Sequence, residues 1–211
     1  MAKSTNFFDL NKKIGPIVFR RGRNGFAYVS RYQRNVANPN TELQKEHRQK
    51  MQVFGKVAGN FKSVIRYGFT KFTYTAYAEF SKLNFTEAIT GTYPQFKVGF
   101  DKLKISNGNV ELPYSPVGTL DGSDISCTWS DNSGLGDADA ADKAVLAVYN
   151  PAKDQLIYKV DAGARSDRSA VISTPAAWSG DTVEGWMFMR RDKQGESKDA
   201  SPSFYLGSFN L

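Results

Sequence analysis

The stretch from Thr41 to Gly68 constrains this chain more than any other. Steps of three and four residues bring Leu43, His47, Lys50, Phe54, Val57, Phe61 and Val64 to one side, and Met51, Ala58 and Ile65 widen that side into an apolar stripe. Lys45, Arg48, Lys56, Lys62 and Arg66 fall mostly outside it. Asn40-Thr41-Glu42 supplies capping residues and an early acid, which suit the unpaired N–H groups of a first helical turn. The pattern predicts one long helix with a core-facing side and a cationic side.

The stripe needs a partner, and the flanking sequence supplies candidates. Residues 14–32 hold two runs of β-formers on either side of Asn24-Gly25, and both of those residues tolerate positive φ, so a β-hairpin is expected. Pro39 then disfavours helix at Ala37 and Asn38. A second helix is expected over residues 76–89, with Ala76, Phe80, Leu83 and Ala88 on one side and Gly91 placed to stop it.

From Gln95 onward the period changes to two. Phe96, Val98 and Phe100 alternate, and further apolar runs follow at 125–129, 144–149, 156–160, 170–173, 183–189 and 204–209. Turn-rich stretches such as Asp131-Asn132-Ser133-Gly134 and Asp161-Ala162-Gly163 separate them. Seven short strands with no helical pattern between them predict an antiparallel, immunoglobulin-like β-sandwich. The run Cys127-Thr128-Trp129-Ser130 resembles the second strand of fibronectin type III domains, in which a tryptophan plugs the core. The expected fold class is therefore α+β: a basic hairpin-and-two-helix unit over residues 1–94, then a sandwich over 95–211. With 15 Phe, 10 Tyr and 3 Trp in 211 residues, the chain has the apolar bulk for sizeable cores, and low-hydrophobicity disorder is not expected for most of it.

Charge divides the same way. Residues 1–94 carry 16 Lys and Arg against 5 Asp and Glu, whereas 95–211 carry 12 against 16. A basic half joined to an acidic half suits either a polyanion partner or head-to-tail contact between copies. The amino terminus has no apolar run of signal-peptide length, and no window reaches the length of a membrane-spanning helix. A cytoplasmic protein, or one within a particle such as a virion assembled there, is expected, with no membrane partner.

Catalytic constellations are sparse. His47 is the only histidine and Cys127 the only cysteine; the first sits on the helix stripe and the second in an apolar strand, where a buried thiol is the ordinary reading. No intrachain disulfide is possible, no Cys/His cluster suggests zinc, and no phosphate-binding loop is present, so neither a cofactor nor a metal is expected. Carboxylates at 131, 137, 139 and 142 invite comparison with a calcium loop but miss its one-three-five spacing, which leaves a solvated inter-strand loop. A carbohydrate-binding sandwich would draw on Trp178 and Trp186. The stronger lead is Arg20, Arg21, Arg23, Arg31 and Arg34, interleaved with Phe19, Phe26, Tyr28 and Tyr32. Guanidinium groups for phosphates and rings for stacking compose a single-strand-binding surface, although basic residues also protect a sheet edge from aggregation.

Several stretches recur together in one order. They are Lys13-Ile14-Gly15, Arg23-Asn24-Gly25, Tyr28-Val29-Ser30-Arg31, Asn38-Pro39-Asn40-Thr41, Ala88-Ile89-Thr90-Gly91-Thr92-Tyr93-Pro94, Asp142-Lys143-Ala144-Val145-Leu146, Gly180-Asp181-Thr182-Val183-Glu184 and Tyr205-Leu206-Gly207-Ser208. In that order the chain resembles a family of uncharacterised Bacteroidetes proteins classed as a domain of unknown function. That resemblance transfers no site residue. The sequence thus leads to a non-enzymatic structural or interaction protein that assembles with itself or other proteins, of the kind found in phage or phage-derived particles. The alternative is a nucleic-acid-binding module that uses the hairpin arginines.

Overall fold

The computed structural model describes residues 13–21, 26–35, 39–70, 75–193 and 196–211, with the side chains of 21, 193 and 196–198 left aside. Among the described residues the chain is α+β, with three α-helices and antiparallel strands, and it forms two compact units, residues 1–41 and 42–211.

The first unit contains a three-stranded sheet in the order β1 (Lys13–Ile14), β2 (Ile17–Arg21), β3 (Ala27–Arg31). β2 and β3 pair antiparallel with Phe19 opposite Val29 and Arg20 opposite Tyr28, so the expected hairpin is present. Its tip, including Arg23, Asn24 and Gly25, lies outside the described residues, as do 36–38.

The second unit begins with α1 (Glu42–Asn60), α2 (Lys62–Gly68) and α3 (Ala76–Glu87). The expected long helix is thus two, broken at Phe61, which sits at φ −80 and ψ −5 and is fully buried. Phe54, Ala58, Phe61, Val64 and Ile65 are buried as the stripe predicts, but Leu43 and Met51 at its amino-terminal end are 77% and 51% exposed. At that end His47 meets Phe85 edge-on and Lys50 stands over the Phe96 ring, while Leu43 and Met51 stay uncovered. Thr75 caps α3 by accepting the Ala78 N–H at 3.4 Å. After α3, β4 (Ile89–Thr90) pairs with β5 (Lys97–Val98) through a turn in which Gly91 takes φ 92.

The remaining strands build two sheets. β6 (Tyr114–Asp121), β7 (Asp124–Ser130) and β10 (Ser169–Ser173) form one in the order β10-β7-β6. β8 (Lys143–Asn150), β9 (Gln155–Lys159), β11 (Thr182–Lys193), β12 (Glu196–Ala200) and β13 (Phe204–Asn210) form the other. The long β11 runs beside β8 on one edge and is shared by β13 and then β12 on the other. Side chains alternate across this five-stranded sheet, and both faces are covered. Val145, Ala147, Tyr149, Trp186 and Phe188 meet the helices, while Ala144, Leu146, Val148, Met187 and Met189 meet Ile125, Cys127, Trp129 and Ile172 of the three-stranded sheet. Helices, large sheet and small sheet make three layers with two cores, which is why residues 144–149 form an unbroken apolar run.

Three expectations change. The chain divides after Thr41 rather than between 94 and 95, because the helices belong to the core of the large sheet. Phe61 alone lies within 5.4 to 6.0 Å of the rings of Tyr149, Trp186 and Phe80, and each such ring is worth about 1.5–3 kcal/mol on burial. The first expected strand, 96–100, contributes only Lys97–Val98; a 3-10 turn follows, and Leu103 and Ile105 enter the helix core instead. β6 and β12 were not expected, since Ser115, Pro116 and Gly118 interrupt one and charged residues fill the other.

Candidate functional site

The interleaved arginines and rings lie in the first unit, and the sheet register sorts them by face. Lys13, Val18, Arg20, Tyr28 and Ser30 share one side, since Lys13 is opposite Val18, Arg20 opposite Tyr28 and Val18 opposite Ser30. The Lys13 ammonium stands 3.6 Å from the centre of the Tyr32 ring, a cation–π contact that places Tyr32 with this group. Arg20, Tyr28 and Tyr32 are exposed. The opposite side holds Ile17, Phe19, Val29 and Arg31. The five arginines therefore do not form one patch: Arg20 and Arg31 lie on opposite faces, and Arg34 is exposed beyond β3. Arg21 is placed by its backbone in β2, and Arg23 lies outside the described residues.

Two properties set this sheet apart. Every residue of β3 is exposed, and Phe19 is the one buried hydrophobic among the described residues of the unit. Ile14, Ile17, Phe26, Tyr28, Val29 and Tyr32 are all at least 40% exposed. The unit divides charge just as unevenly: residues 1–41 hold eight Lys and Arg against the single acid Asp9, and 42–211 hold twenty against twenty. The whole net charge of +7 thus resides in the first 41 residues.

The other candidates lie in the second unit. Cys127 is fully buried with its Sγ 3.2 Å from the Met187 sulfur, and burial pushes its thiol up to about 12, so it is a poor nucleophile. His47 is exposed on α1, its ring 5.3 Å from Phe85 in an edge-on contact. Trp178 and Trp186 are buried at 1% and 0% exposure, so neither presents a ring to a sugar.

In the acid-rich loop, arginines take up the Asp137 and Asp142 carboxylates. Fully buried Arg165 donates to Asp142 at 3.0 Å, to Asn132 Oδ1 at 2.5 Å, and to the carbonyls of Glu111 and Asp139 at 2.7 and 3.1 Å. Arg191 donates to both oxygens of Asp142 at 2.8 and 2.9 Å and to Asp137 at 2.5 Å, and the Asp142 bonds raise its already high pKa further. Asp131 accepts from the Ser133 hydroxyl and N–H, which holds its carboxyl below the ordinary range. Sequence spacing exposed the acids but not their partners, because Arg165 and Arg191 lie on other strands and loops.

No helix among the described residues is long and apolar enough to cross a membrane. A search of characterised proteins finds no match to the chain. The sequence profile of DUF6266, a family of unknown function, matches residues 9–207, nearly the full length of both units, and the chain belongs to that family.

Proposed function

We propose that this chain is a non-enzymatic interaction protein whose basic amino-terminal arm docks onto another copy, building a larger assembly of the kind from which phage-derived particles are made. The observation that carries this reading is the exposure of β3 along its whole length in a unit with one buried hydrophobic residue. Small isolated sheets are marginal in water, and an open edge with exposed rings gains by pairing or packing. The uneven charge gives the arm a long-range pull towards acidic surfaces. The remainder serves as scaffold, and we read it as fibronectin III-like. β6, β7 and β10 on one side and β8, β9, β11 and β13 on the other follow a Greek-key order, with Trp129 of the second strand in the core between them.

Light scattering coupled to size exclusion tests the proposal. At low salt the expected species is larger than a monomer, and it loosens as ionic strength rises. A monomer at every salt concentration overturns it. A second reading, nucleic-acid binding, draws on the Lys13–Tyr32 and Arg20–Tyr28 side of the sheet. It predicts single-stranded DNA binding whose log affinity falls linearly with log salt and drops on Arg20→Ala. Absence of binding at low salt eliminates it.

A further inference from the structure

We infer that the outer face of the β6–β7–β10 sheet is the surface that receives the arm of a second copy; this rests on the docking-arm reading above. The inner face of that sheet is core, and the strand register defines the outer one. Val117, Thr119 and Asp121 of β6 line up with Thr128, Ser126 and Asp124 of β7, and Ser126 is opposite Val171 of β10.

Three features point to an occupant of the arm's chemistry. First, the face is partly apolar. Val117 and Val171 are 52% and 41% exposed, and the hydroxyls between them are mutually satisfied, with Thr119 Oγ1 2.7 Å from Ser126 Oγ. Secondly, β6, β7 and β10 contain no Lys or Arg. Two cations adjoin these strands: Arg168, just before β10 in sequence, and Lys159, whose ammonium caps the β10 edge at the Val171 carbonyl, 3.0 Å away. Thirdly, Asp121 and Asp124 are directly opposite each other at the β6–β7 turn, and among the described residues neither is in an ion pair. Like charges in that position repel, and a cation brought from outside relieves the cost.

The arm supplies what this face lacks. Lys13 and Arg20 share one side of a three-stranded sheet with exposed Tyr28 and Tyr32, matching a three-stranded face that has two valines and two uncompensated carboxylates. The charge of the second unit favours the same approach. Residues 42–87, the helical layer, hold eight cations against four acids, and 88–211 hold twelve against sixteen, so an incoming basic arm is drawn to the sheets and not to the helices. Arm and receiving face are different surfaces, so the contact is heterologous and continues from copy to copy into a ring or filament instead of closing as a two-fold dimer. A face of three short strands is a small interface, so single contacts are weak and the assembly grows with concentration.

Charge reversal on both sides provides the test, with mass followed by sedimentation of nuclease-treated full-length protein. Wild type is expected to gain mass continuously with concentration at low salt. Asp121→Lys/Asp124→Lys and Lys13→Glu/Arg20→Glu are each expected to stay monomeric, and an equimolar mixture of the two is expected to recover assembly. All these positions are exposed or at a turn, and recovery in the mixture also shows that both variants are folded. If the arm variant dissociates while the face variant still assembles, the receiving face lies elsewhere and this inference fails while the docking-arm reading stands. A monomeric wild type overturns both. Two monomeric variants that do not recover on mixing overturn the pairing, as does wild-type assembly that vanishes with nuclease treatment.

Discussion

Asp142 shows what a single side chain contributes when it is buried at 1% exposure between two guanidinium groups. Arg165 cannot reach water, and four of its N–H groups are spent on Asp142, Asn132 and two backbone carbonyls. Removing the carboxylate leaves an uncompensated buried charge, so Asp142→Ala is expected to cost about 3–5 kcal/mol in urea unfolding. Arg191→Ala, which removes a guanidinium that is partly in solvent, is expected to cost far less; equal losses from the two variants would contradict this account. None of this was legible in the sequence. Acids at 131, 137, 139 and 142 look like a solvated or ion-binding loop until the chain brings Arg165 and Arg191 to them across 23 and 49 residues. Cys127 was legible, because its apolar neighbours within one strand already imply burial.

Among elements, the helical layer was the most readable and its ends the least. Spacing alone placed Phe54, Ala58, Phe61, Val64 and Ile65 in the core. It did not show the break at Phe61, nor that Leu43 and Met51 extend past the covering sheet, because both depend on the length of the layer beneath. The join from helices to sheets was also hidden. Alternation at 96–100 reads as a strand, yet just beyond it the buried Asn84 amide donates to the Lys104 carbonyl at 2.8 Å and accepts its N–H at 2.7 Å, tying that segment to α3. Gly68 fixes the same join. A Cβ there would lie 2.5 Å from Ser106 Cβ and 2.7 Å from the Ile105 carbonyl, and the Gly68 carbonyl accepts the Asn107 N–H. Helix propensity favours alanine over glycine, so the sign of Gly68→Ala separates local from tertiary effects. The expected outcome is a loss of about 1–3 kcal/mol in thermal or chemical unfolding from overpacking; a gain in stability would mean that the approach of α2 to 105–107 relaxes easily.

At the scale of the whole chain, core and charge are carried by different segments. Every residue of both cores lies between Phe54 and Leu211, and the net charge of +7 lies in residues 1–41. The sequence displayed the asymmetry but set the boundary too late, since amphipathic helices next to a basic hairpin look like its partners until the sheet they cover is known. The boundary after Thr41 separates both cores from the proposed docking arm, and truncation tests the separation. A chain of residues 42–211 retains both cores and is formally neutral, so it is expected to unfold cooperatively within a few degrees of the full chain. It is also expected to lose the salt-sensitive association, because the part that carries uncompensated charge and exposed rings is gone. A truncated chain that unfolds without cooperativity would show that the arm completes the fold. One that still assembles as the full chain does would move the contact to surfaces of the second unit, such as the exposed end of α1 around Leu43 and Met51.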